Sequence, residues 1–428
     1  MRTINKIKAL NLLIALLPLS IIIGNMAINL NVVIICILGL ITYKLKIFSI
    51  KNKFYQYAIF LFFFYVILTT LINYFPKLDT NALFKENIIK SFFYLRFLIL
   101  FFVVCKMIEE NDLNLKIFFI FCAFFSFFVA IDIIIQIIFG KNLIGYPMTS
   151  NKPSGFFGNE HIAGSYIQKF SIFFIFLTVH KIKNYMNANK YIFFSYIIFL
   201  IIILLTGNRM PFLIFAASFL LYFLIEKKFF SIFILSFLFT IIIFLFLKFP
   251  IVNRIDTQLK TLYGSTLDII VKAPQLFYYN TYKGQDVEWD PNGYLIHFNS
   301  GVQLWKKNKV IGNGLKSLPI NCEYKDNTTC NTHPHNYFIE IMMDTGLIGI
   351  ILIYIIFFFG VLKFFKFYFS KIHSNIKLTI LPFFLVIFFE FFPFRSTGSF
   401  FTTGNAVIIF LFLAIFINAE KIKTFYKI

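Results

Sequence analysis

Charge is scarce in this chain, and arginine and tryptophan are scarcer still. Only 14% of its 428 residues are charged, five arginines stand against 35 lysines, and tryptophan occurs twice. Soluble domains carry about 25% charged and about 45–50% apolar residues. Here 59% of residues are hydrophobic and 21% aromatic, and the mean hydropathy is +0.80. That balance excludes an ordinary soluble domain. Acidic residues are also few, 19 against 40 basic, which leaves a net charge of +21. The lysines flank apolar runs, the pattern that orients membrane proteins, so the charge implies no nucleic-acid partner. The abundance of Phe, with Ile, Lys and Asn, reads as compositional drift and says little about function. The sequence lacks tandem repeats and any cytoplasmic segment large enough to bind a nucleotide. What remains is an all-α polytopic membrane protein.

A hydrocarbon core of about 30 Å takes about 20 apolar residues of helix. Windows of that length give twelve candidate spans, at 7–24, 28–43, 55–74, 88–107, 115–139, 162–180, 190–206, 210–225, 229–247, 337–361, 377–393 and 404–419. The pair meeting near 206–211 also reads as one broken helix. The runs are apolar all round, whereas barrel strands alternate in polarity. No small-residue cleavage site follows the first run, so an anchor is expected and not a removable signal. With the N-terminus inside, the cytoplasmic segments hold 21 Lys and Arg and the short external loops seven. This bias predicts that both termini are cytoplasmic.

One connection is long. Residues 248–336, between the ninth and tenth spans, carry ten basic and seven acidic residues on the external side. Loops of that length are usually functional, and residues 1–428 read as a single transmembrane domain with part of its site on this loop. Its segment Thr261–Tyr279 has helical spacing suited to the membrane surface, either as a cover or as a substrate guide. Cys36, Cys105 and Cys122 fall in spans and read as small apolar residues. Cys322 and Cys330 lie in the loop, where an oxidising compartment would join them; a zinc pair with His333 and His335 is the rival, at cramped spacing.

Arginine is so rare that its positions inform. Arg2 is a terminal orientation charge, and Arg96 lies within a span, where snorkelling or an ion pair accounts for it. Arg209, Arg254 and Arg395 all fall at external membrane borders, where a planar fork suits bidentate phosphate or carboxylate recognition, with interface anchoring as the bland alternative. Among the histidines, His180 and His373 sit at cytoplasmic ends and His297 has no evident partner. His161 follows Asn159-Glu160 at the start of a span, while His333-Pro334-His335-Asn336 is packed against another. An imidazole there can take a proton from a hydroxyl. Arg96, Asp132, Lys169 and Glu390 are the ionisable exceptions within otherwise clean spans.

The run from His333 to Gly349, with Asn336, Asp344 and Gly346-Leu347-Ile348-Gly349, resembles the signature of the O-antigen ligase and polymerase family. Trp305 and Ile311-Gly312-Asn313-Gly314 resemble that family's aromatic residue and Gly-x-Gly turn. Ser154–Glu160 with Gly164-Ser165-Tyr166 resembles its earlier external motif, and Leu205-Thr206-Gly207-Asn208-Arg209 its arginine-bearing break. The spaced motifs cover about residues 145–350. The resemblance implies a glycosyltransferase that moves a glycan from undecaprenyl pyrophosphate to a hydroxyl, in a ligase that of lipid A–core, at the periplasmic face. His335 would be the general base or acceptor-positioning residue, a role in which His333 could share or replace it, with Arg209 and Arg254 holding the pyrophosphate. His333, Asn336, Glu160 and Arg395 are expected to contact or orient substrate, Arg395 without a matching motif and Glu160 with a helix cap as its rival role.

The chemistry agrees: a periplasmic donor must carry its own leaving group, and guanidinium groups stabilise the charge that appears on it. No Asp-x-Asp pair lies in the external loop, so no metal and no cofactor is expected. Three rivals remain. A repeat-unit polymerase would usually have two large external loops. A protein oligosaccharyltransferase would be expected to continue beyond the last span. A lipid-glycan flippase would place ionisable residues deep in several spans of related halves.

Overall fold

The computed structural model describes residues 2–49, 51–78, 82–148, 152–179, 185–227, 294–321, 331–370, 374–393, 395, 396 and 398–422. Within them the chain is helical, and no strand is present beyond an isolated bridge between Lys141 and Pro147. In chain order the α-helices are α1 (Arg2–Ala15), α2 (Leu17–Ile23), α3 (Asn25–Tyr43), α4 (Lys53–Tyr74), α5 (Ala82–Phe93), α6 (Leu95–Glu109), α7 (Leu115–Phe139), α8 (Ala163–Val179), α9 (Tyr185–Leu205), α10 (Arg209–Ile225), α11 (Tyr294–Lys307), α12 (Leu318–Asn321), α13 (Tyr337–Tyr368), α14 (Ser374–Glu390) and α15 (Thr403–Ile417).

Every apolar window read from the sequence falls on a helix, except 229–247, which lies outside the described residues. Among the described residues six helical stretches can cross a membrane by length and composition, and α1 with α2 makes a seventh bent by 47°. The bend has a local cause, since Pro18 stands in the first turn of α2. Helices α8, α10 and α15 are apolar but only 15 to 17 residues long.

Helix α15 is the axis of the bundle: Ala406 to Ile417 are all buried. A helix apolar all round belongs inside, and α3, α6, α13 and α14 pack around this one. The two ends of the bundle differ. At one end Asn11 donates to the Asp112 carbonyl at 2.8 Å, Tyr43 donates to the Asp112 carboxylate at 2.8 Å, and Lys421 pairs with Glu109 at 2.8 Å. Both terminal segments are therefore tied to the same end.

At the other end, α13 is broken. Its 32 residues would span about 48 Å if straight. At Gly346 the backbone turns to φ +63°, and the segment 309–317 is stitched into the break. Asn313 N donates to Met343 O at 3.0 Å, Gly314 N to Asp344 O at 2.9 Å, and Leu347 N to Lys309 O at 3.0 Å. A side chain on Gly312 or Gly346 would meet the other segment's backbone, which is why both are glycine. Helix α4 closes the arrangement: Tyr65 and Thr69 donate to Ile311 O, Asn73 to Gly312 O and Tyr74 to Leu315 O. Irregular backbone inside a membrane bundle must satisfy its polar groups in this way.

Candidate functional site

The site grows from the first turn of α13. Asn336 is its N-cap: the side-chain oxygen accepts from Ile339 N at 2.9 Å, while Nδ2 donates to Pro393 O at 2.7 Å and Arg395 O at 2.9 Å. One residue thus starts the helix and ties it to the turn after α14. Asn336 was expected to meet substrate, but the protein itself takes up its oxygen and its amide. Immediately before it, His335 holds φ +55°, a left-handed conformation uncommon for a non-glycine residue and frequent at functional sites.

Three imidazoles meet here. His333 and His335 stand 4.2 Å apart by ring centroid, and His297 approaches His335 at 5.1 Å. His297 had no visible partner in the sequence, because its neighbour lies 38 positions away and only the docking of α11 joins them. Gly301, one turn further along α11, permits that docking: a Cβ there would meet Ile339 at 2.6 Å and Pro334 at 3.0 Å.

Asn331 fixes the tautomer of His335. Its Oδ1 accepts from Thr332 N at 2.7 Å, so its nitrogen faces His335 Nε2 at 2.8 Å and donates to it. Nε2 therefore carries the lone pair, and the ring proton of the neutral form is on Nδ1. His333 Nδ1 shares a proton with the Thr332 hydroxyl at 2.9 Å. Burial pushes the pKa of His335 down to about 4, reinforced by His333 and His297 and opposed by Glu340. Burial likewise lowers His333 to about 4, with Lys316 and His297 adding to it. Both rings are neutral at pH 7.

Two acid–base clusters underlie the histidines. Glu340, 1% exposed, accepts from Ser399 Oγ and Phe400 N, each at 2.6 Å, and pairs with Lys316 at 3.6 Å. In the second cluster Glu390 pairs with Arg395 and, at 3.4 Å, with Lys169, which also donates to Asn405 at 2.9 Å. Arg395 further lies over the Tyr337 ring at 4.6 Å. Only 2% of Arg395 is exposed, so the guanidinium expected to face substrate is turned inward and neutralised. Rarity had marked it; what it does is lock the turn that receives Asn336.

The remaining sequence expectations fall as follows. Arg209 opens α10, half-buried, directly after the N-cap Asn208. Asn208 Oδ1 accepts from Gly164 N at 3.2 Å, and a Cβ on Gly164 would strike Thr206 and Asn208. The two motifs around residues 154–166 and 205–209 thus meet in space. Glu160 is exposed, and the carboxylate whose charge reaches His335 is that of Glu340. His161 is half-buried beside it, its pKa lowered by burial and by Lys152. Asp132 is structural: it accepts from Leu143 N at 2.8 Å and from Asn142 at 3.3 Å. Arg96 donates to Phe93 O at 2.6 Å and to Thr403 at 3.3 Å. Asp344, from the family signature, accepts from Lys316 N at 2.9 Å and from Ser317 Oγ at 2.6 Å, and so anchors the inserted segment. Arg254, Cys322, Cys330 and the segment 261–279 lie outside the described residues. Lys316, Glu340 and Asn331 are additions to the expected set. A Glu one turn into a capped helix was a faint signal for Glu340, and the other two had none.

Residues 194–354 match the profile of the O-antigen ligase family. The match takes in Arg209, α11 with His297, the inserted segment, the histidines and the broken part of α13. It leaves Lys169, Glu390 and Arg395 outside. No curated protein matches the chain.

Proposed function

From the O-antigen ligase domain that residues 194–354 carry, we propose that this protein transfers a glycan from undecaprenyl pyrophosphate to a hydroxyl of lipid A–core at the periplasmic face of the inner membrane. The observation that carries the reading is a neutral imidazole with its Nε2 lone pair defined, set among two further histidines at the start of α13. A general base must be unprotonated and within hydrogen-bond reach of the proton that it takes. His335 meets the first condition, and a hydroxyl replacing the Asn331 amide at Nε2 would meet the second.

In the proposed step the acceptor hydroxyl gives its proton to His335 Nε2 as its oxygen bonds to the anomeric carbon. The bond from that carbon to the pyrophosphate oxygen breaks, and its electron pair leaves on the pyrophosphate. Arg209 and Arg254 receive that charge. Attack from the face opposite the leaving group inverts the anomeric configuration. A flippase is less favoured, because Arg96, Asp132, Lys169 and Glu390 are each held by local partners.

The test is glycan transfer by purified protein in detergent, with undecaprenyl-pyrophosphate glycan, lipid A–core and EDTA. Loss of transfer in folded His335→Ala and Arg209→Ala is expected. Longer lipid-linked chains with the core untouched would make the protein a repeat-unit polymerase. Movement of lipid-linked glycan across proteoliposomes without transfer to any acceptor would leave a flippase.

A further inference from the structure

Lys316 is held through both its backbone and its side chain. Its backbone has φ +57°, which an L-residue adopts only where surroundings impose it. Asp344 accepts from its N–H at 2.9 Å, and Asn87 donates to its carbonyl at 3.2 Å. Its ammonium donates to Ser399 Oγ at 3.0 Å and faces Glu340 at 3.6 Å. Helices α5 and α13 and the turn before α15 thus converge on one residue, the first through its backbone and the last through its side chain.

That side chain is not sealed. Lys316 keeps 21% of its side-chain surface, whereas its partner Glu340 keeps 1%. An ammonium has three protons to donate; Ser399 takes one and Glu340 lies on another side. Lys316 stands close enough to His333 for its charge to help lower that ring's pKa, and its partner Glu340 lies one turn beyond Asn336. A lysine needed only to neutralise Glu340 would require no solvent contact.

We propose that Lys316 binds the pyrophosphate of the lipid-linked donor, held in place by Glu340 and Ser399. This deepens the reading above and rests on it for the identity of the donor. The compact ammonium meets one phosphate oxygen as a point charge. Being fixed before the donor arrives, it loses little side-chain freedom on binding.

The experiment uses the full chain in detergent, with Lys316→Met, Lys316→Gln and Lys316→Arg beside the wild type. Inorganic pyrophosphate is the probe, followed by direct calorimetric binding and by inhibition of transfer. Lys316→Met should weaken pyrophosphate binding and raise the donor KM by roughly tenfold or more, the scale of one charge-assisted hydrogen bond. The acceptor KM should stay in place, and Lys316→Arg should restore most of the loss. A fall in Tm for both neutral variants with pyrophosphate affinity unchanged would overturn the proposal and leave Lys316 as a counter-ion. If the wild type transfers no glycan, the glycosyltransferase reading fails, while the binding measurement still decides the role of Lys316.

Discussion

Two lysine–glutamate pairs lie at the histidine end of the bundle, and they differ in closure. Lys169, Glu390 and Arg395 are 6%, 1% and 2% exposed, and the one carboxylate in that group faces both of its cations. Lys316 and Glu340 pair at 3.6 Å with the lysine partly open. A sealed charge cluster gains nothing from solvent and depends wholly on its own geometry, so it behaves as framework. A pair with one open side can exchange solvent for a ligand. The same chemistry therefore serves as a fastening in one place and a candidate binding group in the other.

Breaking the sealed cluster should cost most. Glu390→Gln leaves Lys169 and Arg395 buried without their anion, a loss of about 3–5 kcal/mol. The Tm in detergent should drop accordingly, and transfer should fall with the folded fraction. Little change in Tm would show that Arg395 has another partner and that the two clusters are not different in kind. Asp344→Asn should come next. It weakens the anchor of Lys316 and Ser317 by about 1–3 kcal/mol, and the donor KM should rise more than the acceptor KM if the segment it holds faces the donor.

The histidines give a pH signature on the open side. Their folded pKa values lie near 4, below the usual value of about 6.5 for the unfolded chain. Between these limits the unfolded state binds more protons, so stability holds above about pH 6.5 and declines as pH falls toward 4. Transfer should stay flat from pH 7 to about 5 and drop as His335 is protonated. A midpoint at 6.5 would mean that the imidazole is solvated and the cluster loose. The smallest effect belongs to His297→Ala. Removing one neighbour should move the acid limb of the transfer profile slightly upward, with Tm nearly unchanged. A shift as large as that from His333→Ala would contradict their relative weight at His335.

Much of the architecture was legible in order along the chain. Apolar windows show where helices run because a span must be apolar over its own length, whatever it packs against. The histidine pair and Arg209 were legible because rare polar residues at apolar borders stand out. Lys316 was one lysine among 35, and Asn331 one of many asparagines. Their distinction lies in what faces them, a matter of contacts between distant segments. Arg395 shows the converse: its scarcity was visible, but its inward turn depends on Glu390 and Tyr337, which only packing brings to it.

The sequence by itself determined a helical membrane protein, the extent of its apolar runs and the stretch in which its histidines collect, since these follow from composition and local spacing. The tertiary structure decided the break in α13, the insertion of residues 309–317 into it, the convergence of His297 on His335 and the division of charges into sealed and open groups. Those features depend on which backbone and side-chain polar groups find partners across the bundle, and in a membrane core that requirement is met only by the folded whole.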